Sequence, residues 1–149
     1  MSRFLRAATL AVAAAFAAPV FASPASVALT ACLVAKSTQA DRDALVRWFF
    51  VSASVHPAVK DLFDLKPEAR EAASKAAADV FVRLASVDCK AETRATVQVD
   101  GSDTIRIAFG KVVELAGQDL TASPAVQAQF GELSRYMDRD KLKAAFGAN

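Results

Sequence analysis

Between positions 40 and 55 the chain reads ADRDALVRWFFVSASV, and ten of the sixteen positions are apolar. At about 100° per residue, Asp43, Arg47 and Ser54 fall on one narrow strip. Nearly everything else on the cylinder, including the only tryptophan, Trp48, is read as apolar. A surface helix carries one apolar stripe, whereas a helix apolar on almost all sides is surrounded by other elements. The pattern predicts a central hydrophobic helix over 40–55. Thr38 followed by Asp41 fits a capping box at its start, and Asp41 and Asp43 sit where the helix dipole favours negative charge. His56-Pro57 marks its end, because the residue before a proline is pushed out of helical geometry.

The same periodicity divides the rest of the chain. Residues 23–26 read as a linker and N-cap, followed by a short helix over 27–36 with Leu29, Cys32 and Leu33 on one face. Pro57 opens a short helix over 57–63, with Val59 and Phe63 paired four apart. Residues 67–87 give the clearest amphipathic pattern. Ala73, Ala77, Val80, Phe81 and Leu84 lie on its apolar face, and Glu71, Lys75, Asp79 and Arg83 form a solvated ladder of alternating charge. A helix over 103–120 carries Ile105, Ala108, Phe109, Val112, Val113 and Ala116 on one face. Its Gly110 and Gly117, seven apart, predict close approach of another backbone. Ser123-Pro124 opens a helix to about 137, and Asp138 caps a last one over 139–146.

Segment 89–107 fits two patterns. Ala95, Val97 and Val99 alternate, Asp100-Gly101 is a hairpin signal, and Ile105 and Ile107 alternate after it. Ala91, Ala95 and Val99 also recur at helical spacing. An isolated hairpin is marginal, so helix–turn–helix is the better reading, with Gly101 closing the first helix. The fold expected is a single all-α domain of five to seven helices over 23–149, around the 40–55 helix, with one disulfide. A weak echo, Pro57-Ala58-Val59 with Phe63 against Pro124-Ala125-Val126 with Phe130, reflects shared helix-start chemistry.

The first 22 residues read as an address, not as fold. Arg3 and Arg6 precede about a dozen apolar residues, and Val20-Phe21-Ala22 offers small residues at −3 and −1 of a cleavage site, the pattern of a secretory signal peptide. Cleavage there leaves 127 residues (149 − 22) and lowers Lys+Arg from 18 to 16, against 16 acids. The mature net charge is zero, with no basic run, which argues against nucleic acid. No later stretch reaches the roughly 20 apolar residues of a membrane span. The expected location is periplasmic or secreted.

Two cysteines, Cys32 and Cys89, then suffice for one disulfide in an oxidising compartment. The alternative is that Leu29-Thr30-Ala31-Cys32 resembles a lipobox, with Cys32 acylated. Against it, Leu33-Val34-Ala35 continues a helix where a polar tether belongs, Pro19 and Pro24 interrupt the leader, and Cys89 is stranded.

Candidate chemistry is sparse. His56 is the only histidine, and its place at a helix boundary suits a cap or loop role. No serine lies in a Gly-x-Ser-x-Gly elbow, and one His with two bridged Cys makes no zinc site. The run from Asp100 fails as a calcium loop, with Ile105 at position six and Lys111 at twelve. Arg47 is expected to pair with Asp43 at i,i+4; the sharper reading is that Arg47 and Trp48 edge a cleft that takes an anionic group. This inventory assigns no catalytic residue, metal ligand or cofactor and points to a non-enzyme. The expected function is a non-catalytic binding or protein-interaction module of the envelope, with Arg47, Trp48 and His56 as candidate binding residues. Its partner would be an envelope protein or a small ligand. The alternatives are a stress holdase and a small enzyme using His56 and Arg47.

Intact-mass spectrometry of the exported protein should give a chain beginning at Ser23, with neither cysteine open to alkylation before reduction. A diacylglyceryl adduct on Cys32 would instead establish the lipoprotein.

Overall fold

The computed structural model describes residues 22–147; apart from Ala22, the expected signal peptide lies outside them. The described chain is all-α: α1 (Pro24–Lys36), α2 (Gln39–Ala53), α3 (Pro67–Arg83), α4 (Lys90–Asp100), α5 (Asp103–Ala122), α6 (Pro124–Glu132) and α7 (Arg139–Phe146). Single 3-10 turns occupy Lys60–Leu62 and Leu133–Tyr136, and a wide π turn, Leu84–Asp88, joins α3 to α4. Helix α5 packs against α1, α2, α4 and α6, while α3 lies on α2 and α1 on α4. The core is drawn from Leu29 and Leu33 of α1, Leu45 of α2, Ala77 and Val80 of α3, and Ala108, Phe109, Val112 and Ala116 of α5. Leu84 and Cys89 close it at the π turn.

Local chemistry explains where the helices begin. The Ser23 hydroxyl accepts the Ser26 N–H at 3.1 Å and Pro24 takes the first turn, so α1 starts three residues earlier than its apolar pattern suggested. Thr38 and Asp41 form the expected capping box: the Asp41 N–H donates to the Thr38 hydroxyl at 3.2 Å, and the Thr38 N–H to the Asp41 carboxylate at 2.8 Å. Segment 89–107 is helix–turn–helix, with Gly101 at φ 82°, a conformation that costs other residues. Asp138 caps α7 by accepting the Lys141 N–H at 3.1 Å.

Several expectations need correction. The helix expected over 57–63 is a turn and one 3-10 turn: Val59 provides no side-chain cap for the 3-10 turn, and one apolar pair does not offset the cost of nucleating so short a helix. Its neighbourhood is held instead from α3. The Arg70 guanidinium donates to the Ser54 hydroxyl at 2.9 Å, and that hydroxyl donates to the Val51 carbonyl at 2.7 Å. Helix α3 stops at Arg83, short of Val87, because the π turn inserts an extra residue, with the Cys89 N–H on the Leu84 carbonyl at 2.9 Å. The charge ladder of α3 pairs only Lys75 with Asp79. Arg83 turns away from it to Asp41 at 2.6 Å and to Asp88. The enclosure expected of the 40–55 helix is only one-sided: Asp41, Leu45 and Ser54 are buried, while Phe49 and Phe50 are 56% and 40% exposed.

The cysteines are joined. Cys32 and Cys89 have Cα atoms 5.9 Å apart, and Cys89 is completely buried. The π turn rotates Cys89 inward beside Leu84, which sets it against α1. The bridge closes a sequence separation of 57, worth about 4 kcal/mol in the chain-entropy account. Cys32→Ala and Cys89→Ala should each lower the unfolding free energy by about that much, and the double variant should lose little more, because one bond is removed in every case. Urea titration of the three variants checks this.

Asp41 links α2 to α3. Burial pushes its carboxyl upward, but the Thr38 N–H, the Arg83 guanidinium and the Thr38 hydroxyl together outweigh burial and hold it below its ordinary 3.8. The folded carboxyl is therefore the stronger acid. Its stabilising contribution is complete above the ordinary value and disappears as pH falls through the lowered one. Asp41→Asn should cost about 2 kcal/mol at pH 7 and progressively less as pH falls below the ordinary carboxylate range, read from urea midpoints along a pH series.

Candidate functional site

Three aromatic rings from three helices meet edge to face. Trp48 of α2 stands against Phe81 of α3, centroids 6.2 Å apart at 85°. Phe81 stands against Phe109 of α5 at 4.7 Å and 75°. Each ring is placed by its helix: Trp48 three residues after buried Leu45, Phe81 after Val80, Phe109 between Ala108 and Val112. Such pairs add about 0.5–1.5 kcal/mol beyond burial and fix the ring planes.

The rings floor an open groove of about 840 Å³ between α2, the end of α3 and the first half of α5. Val82, Ile105 and Val113 wall it, and Ser86, Ser102 and Arg106 are its polar rim. Its volume lies within the range of small-ligand sites, and its lining is mostly apolar. A second, narrower groove of about 140 Å³ runs along α2 and α5, lined by Val46, Phe49, Gly117 and Leu120, and shares Val113 with the first.

Gly110 lines the wider groove and Gly117 the narrower. A Cβ at either would meet no atom within 4 Å, so the close backbone contact expected of them is absent. Both sit inside α5, where glycine costs about 0.5–1 kcal/mol relative to alanine. Their missing side chains widen grooves instead of admitting another helix of this chain.

The candidate residues read from the pattern lie in different places. Trp48 is on the groove floor. Arg47 is exposed, does not line the groove, and has no ion pair among the described residues. The expected Asp43–Arg47 pair is not formed; Asp43 accepts the Gln39 side-chain amide at 3.0 Å. Neighbouring Arg42 is the arginine in use, with its Nε on Asp119 of α5 at 2.5 Å and its Nη1 on the Ser37 carbonyl at 3.0 Å. That guanidinium, acting against burial, lowers the Asp119 carboxyl from its ordinary value. His56 is exposed in the turn after α2, its Nδ1 accepting the Ala58 N–H at 3.2 Å. The structure thus does not gather Arg47, Trp48 and His56 around one cleft. The groove's cation is Arg106.

Phe81, Phe109, Ile105 and Val113 were legible only as core. The signal that could have marked them as a groove is Gly110, a helix-breaking residue inside their stripe. Among the described residues, no three His, Cys, Asp or Glu gather where they could hold a metal, and no helix is long and apolar enough to cross a membrane. No protein-family model, curated protein or solved structure matches this chain, and the chemistry of the site rests on its own geometry.

Proposed function

We propose that the protein is a non-catalytic interaction module of an oxidising, extracytoplasmic compartment, and that the Trp48–Phe81–Phe109 groove is its binding surface. The observation that carries this is an open apolar groove on a rigid aromatic floor, widened by a glycine that no contact within the chain requires. Apolar surface of this kind, rimmed by polar groups, marks interaction sites. The groove offers dispersion and area, with one guanidinium at the rim to orient an acidic end. It offers no nucleophile beside a base, so it suits recognition and not turnover. The chemistry that fits is the apolar face of a helix, read through anchors at i and i+3 or i+4. The signal-like leader and the Cys32–Cys89 bridge support export.

The protein carries its own reporter, since Trp48 is the only tryptophan and forms part of the floor. At high dilution of the protein, titration with the apolar dye 8-anilinonaphthalene-1-sulfonate should shift Trp48 emission and saturate. Gly110→Leu should abolish that response while raising unfolding stability by about 0.5–1 kcal/mol, because leucine fills the groove and favours the helix. Arg47→Ala and His56→Ala should leave it unchanged. A full response in Gly110→Leu would refute this reading.

A further inference from the structure

We infer that the groove joins two copies of this chain, each lending its C-terminal arm, residues 124–147, to the groove of the other. This rests on the groove being a binding surface and names its occupant.

The arm is the second unpartnered surface of the molecule. None of the residues of α6, the following 3-10 turn or α7 is buried. The helices are nine and eight residues long, and helices so short are marginal in water without a surface to pack on. Yet α7 is well specified, with Asp138 as its N-cap and Gly147 closing it at φ 65°. Each helix carries an apolar strip: Val126, Phe130 and Leu133 at i, i+4 and i+7, then Leu142 and Phe146 at i and i+4. A defined amphipathic arm whose apolar strip is mostly uncovered complements an open apolar groove.

The arm's own groove is badly placed to receive it. The arm leaves from the far end of α5, about 20 Å along the helix from Phe109, and α6 is already packed against α5. Reaching inward would break those contacts, whereas reaching a second copy keeps them. Two complementary surfaces on one chain pair reciprocally about a two-fold axis, so each is used twice. Phe130, Tyr136 and Phe146 are 65%, 85% and 78% exposed and offer on the order of 450 Å² between them. Covering that twice, with the two grooves, reaches the lower end, roughly 1,200 Å², of the range for specific interfaces.

The test is sedimentation of the exported, disulfide-bonded chain with two single-surface variants. The parent should be a dimer at micromolar concentration. The arm variant, Leu142→Asp with Phe146→Asp, changes only unburied residues, and the groove variant is Gly110→Leu. Each should self-associate at least about a hundredfold more weakly, with helical circular dichroism retained. Mixed together they should form a heterodimer, because one intact arm then meets one intact groove. A monomeric parent, or variants that fail to complement, would overturn the exchange of arms. In that event, a Trp48 response to the dye in the arm variant leaves the groove a binding surface for another occupant. Loss of that response as well would remove the groove reading itself.

Discussion

The covalent tie between Cys32 and Cys89 sets the geometry on which the rest of this domain depends. It joins the middle of α1 to the junction of α3 and α4, far apart in sequence, with Cys89 inside the core and Cys32 packed against it. A chain this small buries few large side chains: Leu29, Leu33, Leu45, Leu84 and Val112 are the apolar ones essentially sealed from water besides Cys89. Such a core leaves little margin against chain entropy, and restricting the unfolded ensemble adds to it without further burial. The π turn is part of the same device, because its additional residue turns Cys89 inward while α4 continues along α1.

A polar layer then fixes how the helices lie over that centre. Asp41, Arg83 and Asp88 connect the start of α2 with the end of α3, a few residues from the bridge. Arg42 and Asp119 connect the first turn of α2 with α5, and Arg70 with Ser54 holds the far end of α2 to α3. Each is a charged donor meeting a defined acceptor across helices, so each specifies a register as well as adding stability. None of them faces the aromatic groove, and the residues that hold the helices apart there are the rings themselves.

The consequence is a division of labour along α2 and α5. Their halves near the disulfide are packed, and their other faces remain open. Leu45 is sealed while Phe49 is largely exposed, and Val112 is sealed while neighbouring Val113 lines both grooves. Apolar residues therefore serve two roles on the same helices, with one set excluding water from the core and the other facing it.

The sequence by itself determined the class of fold, most helix starts and the disulfide pair. Those properties are local or countable. Thr38 and Asp41 cap their own helix, Asp138 caps α7, Gly101 supplies a positive φ, and two cysteines joined within one chain have one pairing. The partners of charges and the fate of apolar faces were decided only in three dimensions. Arg83 stands in a regular i,i+4 ladder, yet the π turn and the packing of α2 on α3 bring it two acids from outside that ladder. The all-round apolarity of 40–55 was visible in the residues, but whether a face meets a neighbour or water depends on how many helices surround it. Here α3 and α5 cover one side of α2, and no described helix covers the flank bearing Phe49 and Phe50. Gly110 shows the same limit: a missing side chain serves equally for close approach and for open space, and only the distance to the nearest atom tells which.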